Sequence, residues 1–141
     1  MTILQGSDDF RRATGMFPSL VPLATAGNEI TAIAVTIGGI SGGTKHDRAP
    51  VNYRILASVR GLATELPEIW IALPENRQIR HMNVFPPSAV CPFTGGRLPT
   101  LCWGSTGVAW RNTPAPHRRL ANLLEAVRQV LADANPNSRA R

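Results

Sequence analysis

The stretch EITAIAVTI, residues 29–37, decides the fold class. Ile30, Ala32, Ala34 and Thr36 alternate with Thr31, Ile33, Val35 and Ile37, and both sets are largely apolar. Successive side chains of a strand point to opposite faces, so the pattern predicts a strand covered on both sides. The following GGISGGTKHDRAP, residues 38–50, has four glycines and Pro50 and predicts a flexible turn. It lacks the GxxxxGK[ST] spacing of a phosphate-binding loop. Val51 to Val59 reads as a second strand, with Val51, Tyr53, Ile55, Ala57 and Val59 on one face, and Ile69 to Leu73 as a short third.

Upstream, Ser7-Asp8-Asp9 predicts a capped helix, with Phe10, Ala13 and Met16 or Phe17 on its apolar side and Pro18 and Pro22 ending it. Downstream, Pro74 to Thr100 has neither helical nor strand period and predicts a long irregular loop. Beyond Pro114 and Pro116, Leu120, Leu123, Leu124, Val127, Val130 and Leu131 recur at three- and four-residue steps. They predict one amphipathic helix over Arg118 to Asp133, stopped at Asn135-Pro136, with residues 136–141 frayed. The order is helix, strands, loop, helix. It predicts a single α+β domain over residues 1–141, with helices packed on an antiparallel meander.

Composition narrows the functional classes. No apolar run reaches the roughly 18 residues needed to span a bilayer. Met1 to Gly6 lacks the basic-then-apolar form of a signal peptide, so the expectation is a cytoplasmic chain with no membrane partner. Cys91 and Cys102 are too few for a disulfide scaffold, and a reducing compartment keeps both as thiols. A zinc site would need both plus two of His46, His81 and His117, and no CxxC or HxxxH spacing supports it. The net charge of +6 is nearly all arginine, with Lys45 the only lysine. A GC-rich coding sequence explains this simply. A protein that passes activated acyl groups to amines would also gain from having few amines of its own. The six arginines between Trp110 and Arg141 have no aromatic residues interleaved in the manner of a nucleic-acid site, so a solvated face or an acidic protein partner is the better reading.

Four features then follow in order: PEIWIAL running into IRHMNV, a cysteine, a tryptophan in GVAW, and a long helix ending in ADANPNS. Together they resemble the ubiquitin-conjugating (E2) family, with HMN at residues 81–83 in the place of its His-Pro-Asn motif. Three departures stand out: Met82 replaces the proline, the stretch from Asn83 to Trp110 is longer, and one C-terminal helix stands where eukaryotic members add another. These match the prokaryotic E2-like proteins of antiphage operons. The resemblance implies the ubiquitin-conjugating-enzyme-like fold and a cysteine that carries a protein's C-terminus as a thioester and passes it to a lysine amine. The implied partner is a ubiquitin-like protein or a cyclic-oligonucleotide synthase. Any ATP would be used by a separate E1-like activating enzyme, and no metal or organic cofactor is required. An adaptor of the same fold without chemistry is the alternative.

Both cysteines are candidate nucleophiles. Cys91 lies eight residues after Asn83, and Cys102 eight residues before Trp110; each satisfies one family spacing. Leu101-Cys102-Trp103-Gly104 has apolar flanks and resembles the Leu-Cys-Leu-Gly of prokaryotic members, whereas Pro92 redirects the backbone just after Cys91. The flanks favour Cys102 and would leave Cys91 in a mobile loop closing over the site. Arg80 and Arg97 are candidates to favour the thiolate. Asn83 is expected to donate to the oxyanion of the attacked thioester, within a side-chain length of the sulfur, or to frame the loop. His81 is expected to hydrogen-bond within the loop or act as a base, and Trp103 and Trp110 to pack.

Overall fold

The computed structural model describes residues 2–42, 47–62, 64–133, 135, 138 and 140–141. Among these, the chain forms β1 (Ile3–Leu4), α1 (Asp8–Met16), β2 (Val21–Ala26), β3 (Glu29–Ile40), β4 (Pro50–Ser58), β5 (Trp70–Leu73), β6 (Val84–Phe85), β7 (Thr100–Leu101), α2 (Gly104–Arg111) and α3 (Leu120–Leu131). The architecture is α+β. All seven strands join one antiparallel sheet of order β1-β3-β4-β5-β7-β6, with β2 on the other edge of β3.

The expected double coverage of β3 is met by two different structures. The row Val35–Ile55–Ile71 runs across three strands and faces the main core, with Ala13 and Phe17 below α1 and the apolar stripe of α3. The next row, Ala34–Leu56–Trp70, faces the other way and is covered by Cys91, Phe93 and Leu98. Met16 stays exposed, so Phe17 rather than Met16 completes the apolar side of α1.

Three features join distant parts of the chain. Ser7 caps α1 as expected, through its hydroxyl and the Phe10 amide. Asp9 also caps α3 from afar, its carboxylate accepting from the amides of Leu120 at 2.8 Å and Ala121 at 3.2 Å. No side chain of its own caps α3. Ser19 stands in for a strand where β2 stops, its hydroxyl accepting from Thr36 N at 2.8 Å and donating to Thr36 O at 3.2 Å.

The structure corrects the sequence reading in three places. The sheet has seven strands rather than the expected three or four, because β1, β2, β6 and β7 are too short or too exposed to show a period. Gly38 and Gly39 belong to β3, not to a turn. A Cβ at Gly39 would lie 2.4 Å from Leu131 O, so glycine is what lets the end of α3 cross the strand. Of the expected turn, residues 43–46, including Lys45 and His46, lie outside the described residues. Finally, of residues 136–141, where fraying was expected, 136, 137 and 139 lie outside the described residues, and 138, 140 and 141 are described. Ala140 is buried and the Arg141 guanidinium donates to Asn76 Oδ1.

Candidate active site

The HMN segment is fixed from three sides. Gly42, at φ +73°, brings the β3–β4 connection so close that a Cβ there would sit 2.9 Å from the His81 ring. Met82 N donates to Gly42 O at 3.2 Å. The His81 ring is fully buried, edge-on to Tyr53 at a centroid distance of 6.1 Å.

Both nitrogens of His81 are engaged. Nε2 lies 3.2 Å from Leu131 O, and Nδ1 lies 3.1 Å from the Asn83 amide nitrogen. A carbonyl only accepts and an amide N–H only donates, so the pattern assigns the proton to Nε2 and leaves Nδ1 as acceptor. Burial holds the ring's pKa below its ordinary value, against the Leu131 carbonyl and the more distant charge of Asp133. This imidazole is neutral and sealed. It sets the position of Asn83 and the end of α3 rather than exchanging protons in the cleft. Beside it, burial, together with the charge of Asp47, pushes the Tyr53 hydroxyl up to about 12, and this hydroxyl donates to Ile40 O at 2.6 Å.

Asn83 and Cys102 face each other. Val84 pairs with Leu101 in the β6–β7 ladder, and antiparallel pairing makes the next rung Asn83 opposite Cys102. That rung is made: Cys102 N donates to Asn83 O at 2.6 Å. Residues directly opposite on an antiparallel pair have Cβ atoms about 4.5–5.5 Å apart and share a face. Asn83 Oδ1 accepts from Asn135 N at 3.1 Å, tying down the segment after α3. Asn83 is itself buried, and no hydrogen bond from its Nδ2 to a described residue is formed.

Cys102 is partly exposed. Trp103 follows, its indole donating to Pro67 O at 3.2 Å, and α2 begins at Gly104. The first turn of α2 has no side-chain cap, so its amides and positive dipole end are available to negative charge developing nearby. With Asn83, Trp103, Gln129, Val130, Asp133 and Asn135, that turn walls a polar cleft of about 400 Å³.

Cys91 is elsewhere. Its side chain is fully buried against Ala34, Leu56 and Trp70 on the outer face of the sheet. Its amide donates to Gly96 O at 2.8 Å, and its carbonyl accepts from Gly95 N at 2.9 Å. Val90 pairs with Arg97 across the same hairpin, and Arg97 donates to Ser88 O at 2.7 Å. The mobile loop expected around Cys91 is thus a closed hairpin pinned by its cysteine. Arg97 belongs to it, and Arg80 is exposed to solvent.

Sequence reasoning missed α2 and the cleft walls Ser105, Thr106, Gln129 and Asp133. GSTGVAWR holds two glycines and a β-branched pair, a poor helix by intrinsic preference. Gly107 is there for packing, since a Cβ would meet Trp103 Cβ at 2.8 Å. Trp110 is buried in the core and Trp103 packs at its border, as packing roles require. Among the described residues, no cluster of His, Cys, Asp and Glu could hold a metal ion, and no helix is long and apolar enough to cross a membrane. No family model matches the chain, and no curated protein or solved structure matches it.

Proposed function

We propose that this chain is an E2-like acyl carrier that holds a protein's C-terminal acyl group on Cys102 and passes it to a lysine amine. The observation that carries this reading is the pairing of Cys102 with Asn83 at the open end of the β6–β7 ladder, beside a polar cleft. The element order supports it too. An N-terminal helix, a four-strand meander (β2 to β5), an irregular segment with HMN, a cysteine and then helices is the order that the E2 resemblance implies.

The chemistry has two balanced steps. The Cys102 thiolate attacks a carboxyl group activated by a separate E1-like enzyme; the C–S bond forms and the activating group leaves. A neutral lysine amine then attacks the thioester carbonyl. The C–N bond forms, the C–S bond breaks, the thiolate returns, and the amine's surplus proton goes to water. A thiolate suits both steps because it is nucleophilic near neutral pH and leaves well. Asn83 Nδ2 and the first-turn amides of α2 are the donors on hand for the tetrahedral oxyanion. The partner is a ubiquitin-like protein or a cyclic-oligonucleotide synthase donating its C-terminus, in antiphage defence.

The test is to incubate wild type, Cys102→Ser and Cys91→Ser with the products of the neighbouring genes. The expected result is a thiol-cleavable adduct for wild type and Cys91→Ser, and a thiol-resistant oxyester or nothing for Cys102→Ser. A thiol-cleavable adduct on Cys102→Ser would move the nucleophile to Cys91. No adduct with any partner would favour the adaptor without chemistry.

A further inference from the structure

The outer face of the sheet carries an apolar groove of about 540 Å³ at its β6–β7 end. Its floor is one row across three strands: Trp70 pairs with Thr100, and Thr100 with Phe85. Pro86 and Pro87 also line it, and Phe85 is 41% exposed. Glu68 is the one charged residue among those that line it. Glu68 is exposed, and among the described residues its carboxylate makes no ion pair and accepts no hydrogen bond.

The register sets Glu68 beside Cys102. Leu101 N donates to Ile69 O at 3.0 Å, and the Trp103 indole donates to Pro67 O at 3.2 Å. The two strands therefore stay in step past the Trp70–Thr100 pair, and the next pair on that face is Glu68 with Cys102. Residues directly opposite have Cβ atoms about 4.5–5.5 Å apart. Residues two apart on a strand share a face and lie about 7 Å apart. An acidic row at Cys102 thus adjoins an apolar row of Trp70, Thr100 and Phe85.

An extended peptide has the same repeat, since its residues i and i+2 also share a face about 7 Å apart. The apolar row fits a large apolar side chain. The unpaired carboxylate, in a chain of net charge +6, fits a cation. We infer that the groove selects the acceptor: an extended protein segment whose lysine has a large apolar residue two positions away, on either side. The apolar side chain seats against Phe85 and the prolines, and the lysine ammonium meets Glu68 next to Cys102. Glu68 gathers the amine, and the proton that the ammonium sheds before attack goes to water. The part played in transfer rests on the proposed function; the groove's preference does not.

Binding is measured first, without transfer. The ¹⁵N-labelled chain is titrated with the blocked peptides Ala-Leu-Ala-Lys-Ala and Ala-Lys-Ala-Leu-Ala while the Phe85 and Thr100 amide resonances are followed. Versions with glutamine for the lysine, or alanine for the leucine, are the controls. The tighter of the two peptides should bind about threefold better than its glutamine version, the scale of one exposed ion pair. It should bind about tenfold better than its alanine version, the scale of one half-buried leucine. Glu68→Gln should erase the lysine preference and keep the leucine preference, and Phe85→Ala should do the reverse. Resonances that no peptide moves at millimolar concentration, or a lysine preference that survives Glu68→Gln, would overturn the groove. Transfer from a loaded Cys102 is measured next. Glu68→Gln should raise the peptide concentration for half-maximal rate about threefold and leave the maximal rate unchanged. Equal transfer to the peptide and its alanine version would overturn the selection of acceptors and keep the carrier. The expected binding on a chain that forms no thioester would keep the groove and remove the carrier.

Discussion

Cys91 sits in a hairpin whose hydrogen bonds return to itself and whose sulfur fills a gap in the outer core. Cys102 sits, partly exposed, at the end of a two-residue ladder, with Asn83 across the rung and a helix start after it. Asn83 is nearer to Cys91 in sequence, yet it is Cys102 that it touches. Spacing along a chain counts residues, whereas an antiparallel ladder brings together residues on either side of whatever it encloses. The stretch 86–99, hairpin included, is what β6 and β7 enclose, so its length does not disturb the Asn83–Cys102 rung.

The largest expected difference between the two regions is reactivity. A water-soluble disulfide reagent should label Cys102 in the native protein within the mixing time of ordinary chemistry. Cys91 should wait for the hairpin to lift off the sheet. An opening free energy of about 4 kcal/mol suppresses labelling about 10³-fold. Native labelling followed by peptide mass mapping checks this, and equal rates at both sites would break the comparison.

The next effect belongs to Asn83. Asn83→Ala should slow transfer from a loaded Cys102 to an amine about 10²-fold, the loss that follows removal of one oxyanion donor. Loading itself should change only a few-fold. Single-turnover rates of each step decide it. Equal losses in both would mean that the Asn83–Asn135 bond, holding the cleft wall, is the whole of its role.

Stability should separate the cysteines in the opposite direction. Cys91→Ser buries a hydroxyl among Ala34, Leu56 and Trp70 and should cost about 1–3 kcal/mol. Cys102→Ser, at a partly exposed position, should stay within about 0.5 kcal/mol. Denaturant midpoints at constant slope measure both.

The parts of this fold legible in the sequence are those whose period is set by one repeated environment. β3 alternates because two cores press on it, and α3 shows its stripe because one sheet lies under it. The candidate residues Cys102, Asn83 and His81 were legible only as a motif, and the nearness of the first two only as what the resemblance implied. Their meeting depends on a two-residue ladder, too short for any period. α2 was hidden for a related reason. Its glycine at 107 answers to the Trp103 side chain one turn back on the same helix, and local preference reads that glycine as loop. The cap on α3 comes from Asp9, more than a hundred residues away, and nothing near Leu120 announces it.

The smallest effect concerns pH, and it should appear on the Cys102 side alone. The folded pKa of His81 lies below its ordinary value, chiefly because the ring is buried. On acidification the unfolded chain therefore binds this proton first, near pH 6.5, and the folded chain only lower. Stability from this group is full above about pH 6.5 and is lost as pH falls through the folded value. Protonation also turns Nδ1 from acceptor to donor, so it can no longer accept the Asn83 amide hydrogen. The rung between Asn83 and Cys102 should loosen with it, while the Cys91–Gly96 hydrogen bond, which involves no titrating group, should not. Amide exchange at pH 7.5 and 5.5, corrected for intrinsic rates, should show Asn83 and Cys102 losing protection relative to Cys91. In His81→Gln that relative loss should vanish, since a glutamine can replace the ring's hydrogen bonds without titrating. If the variant shows the same pH response as wild type, some other group loosens the edge, and His81 is only a packing residue.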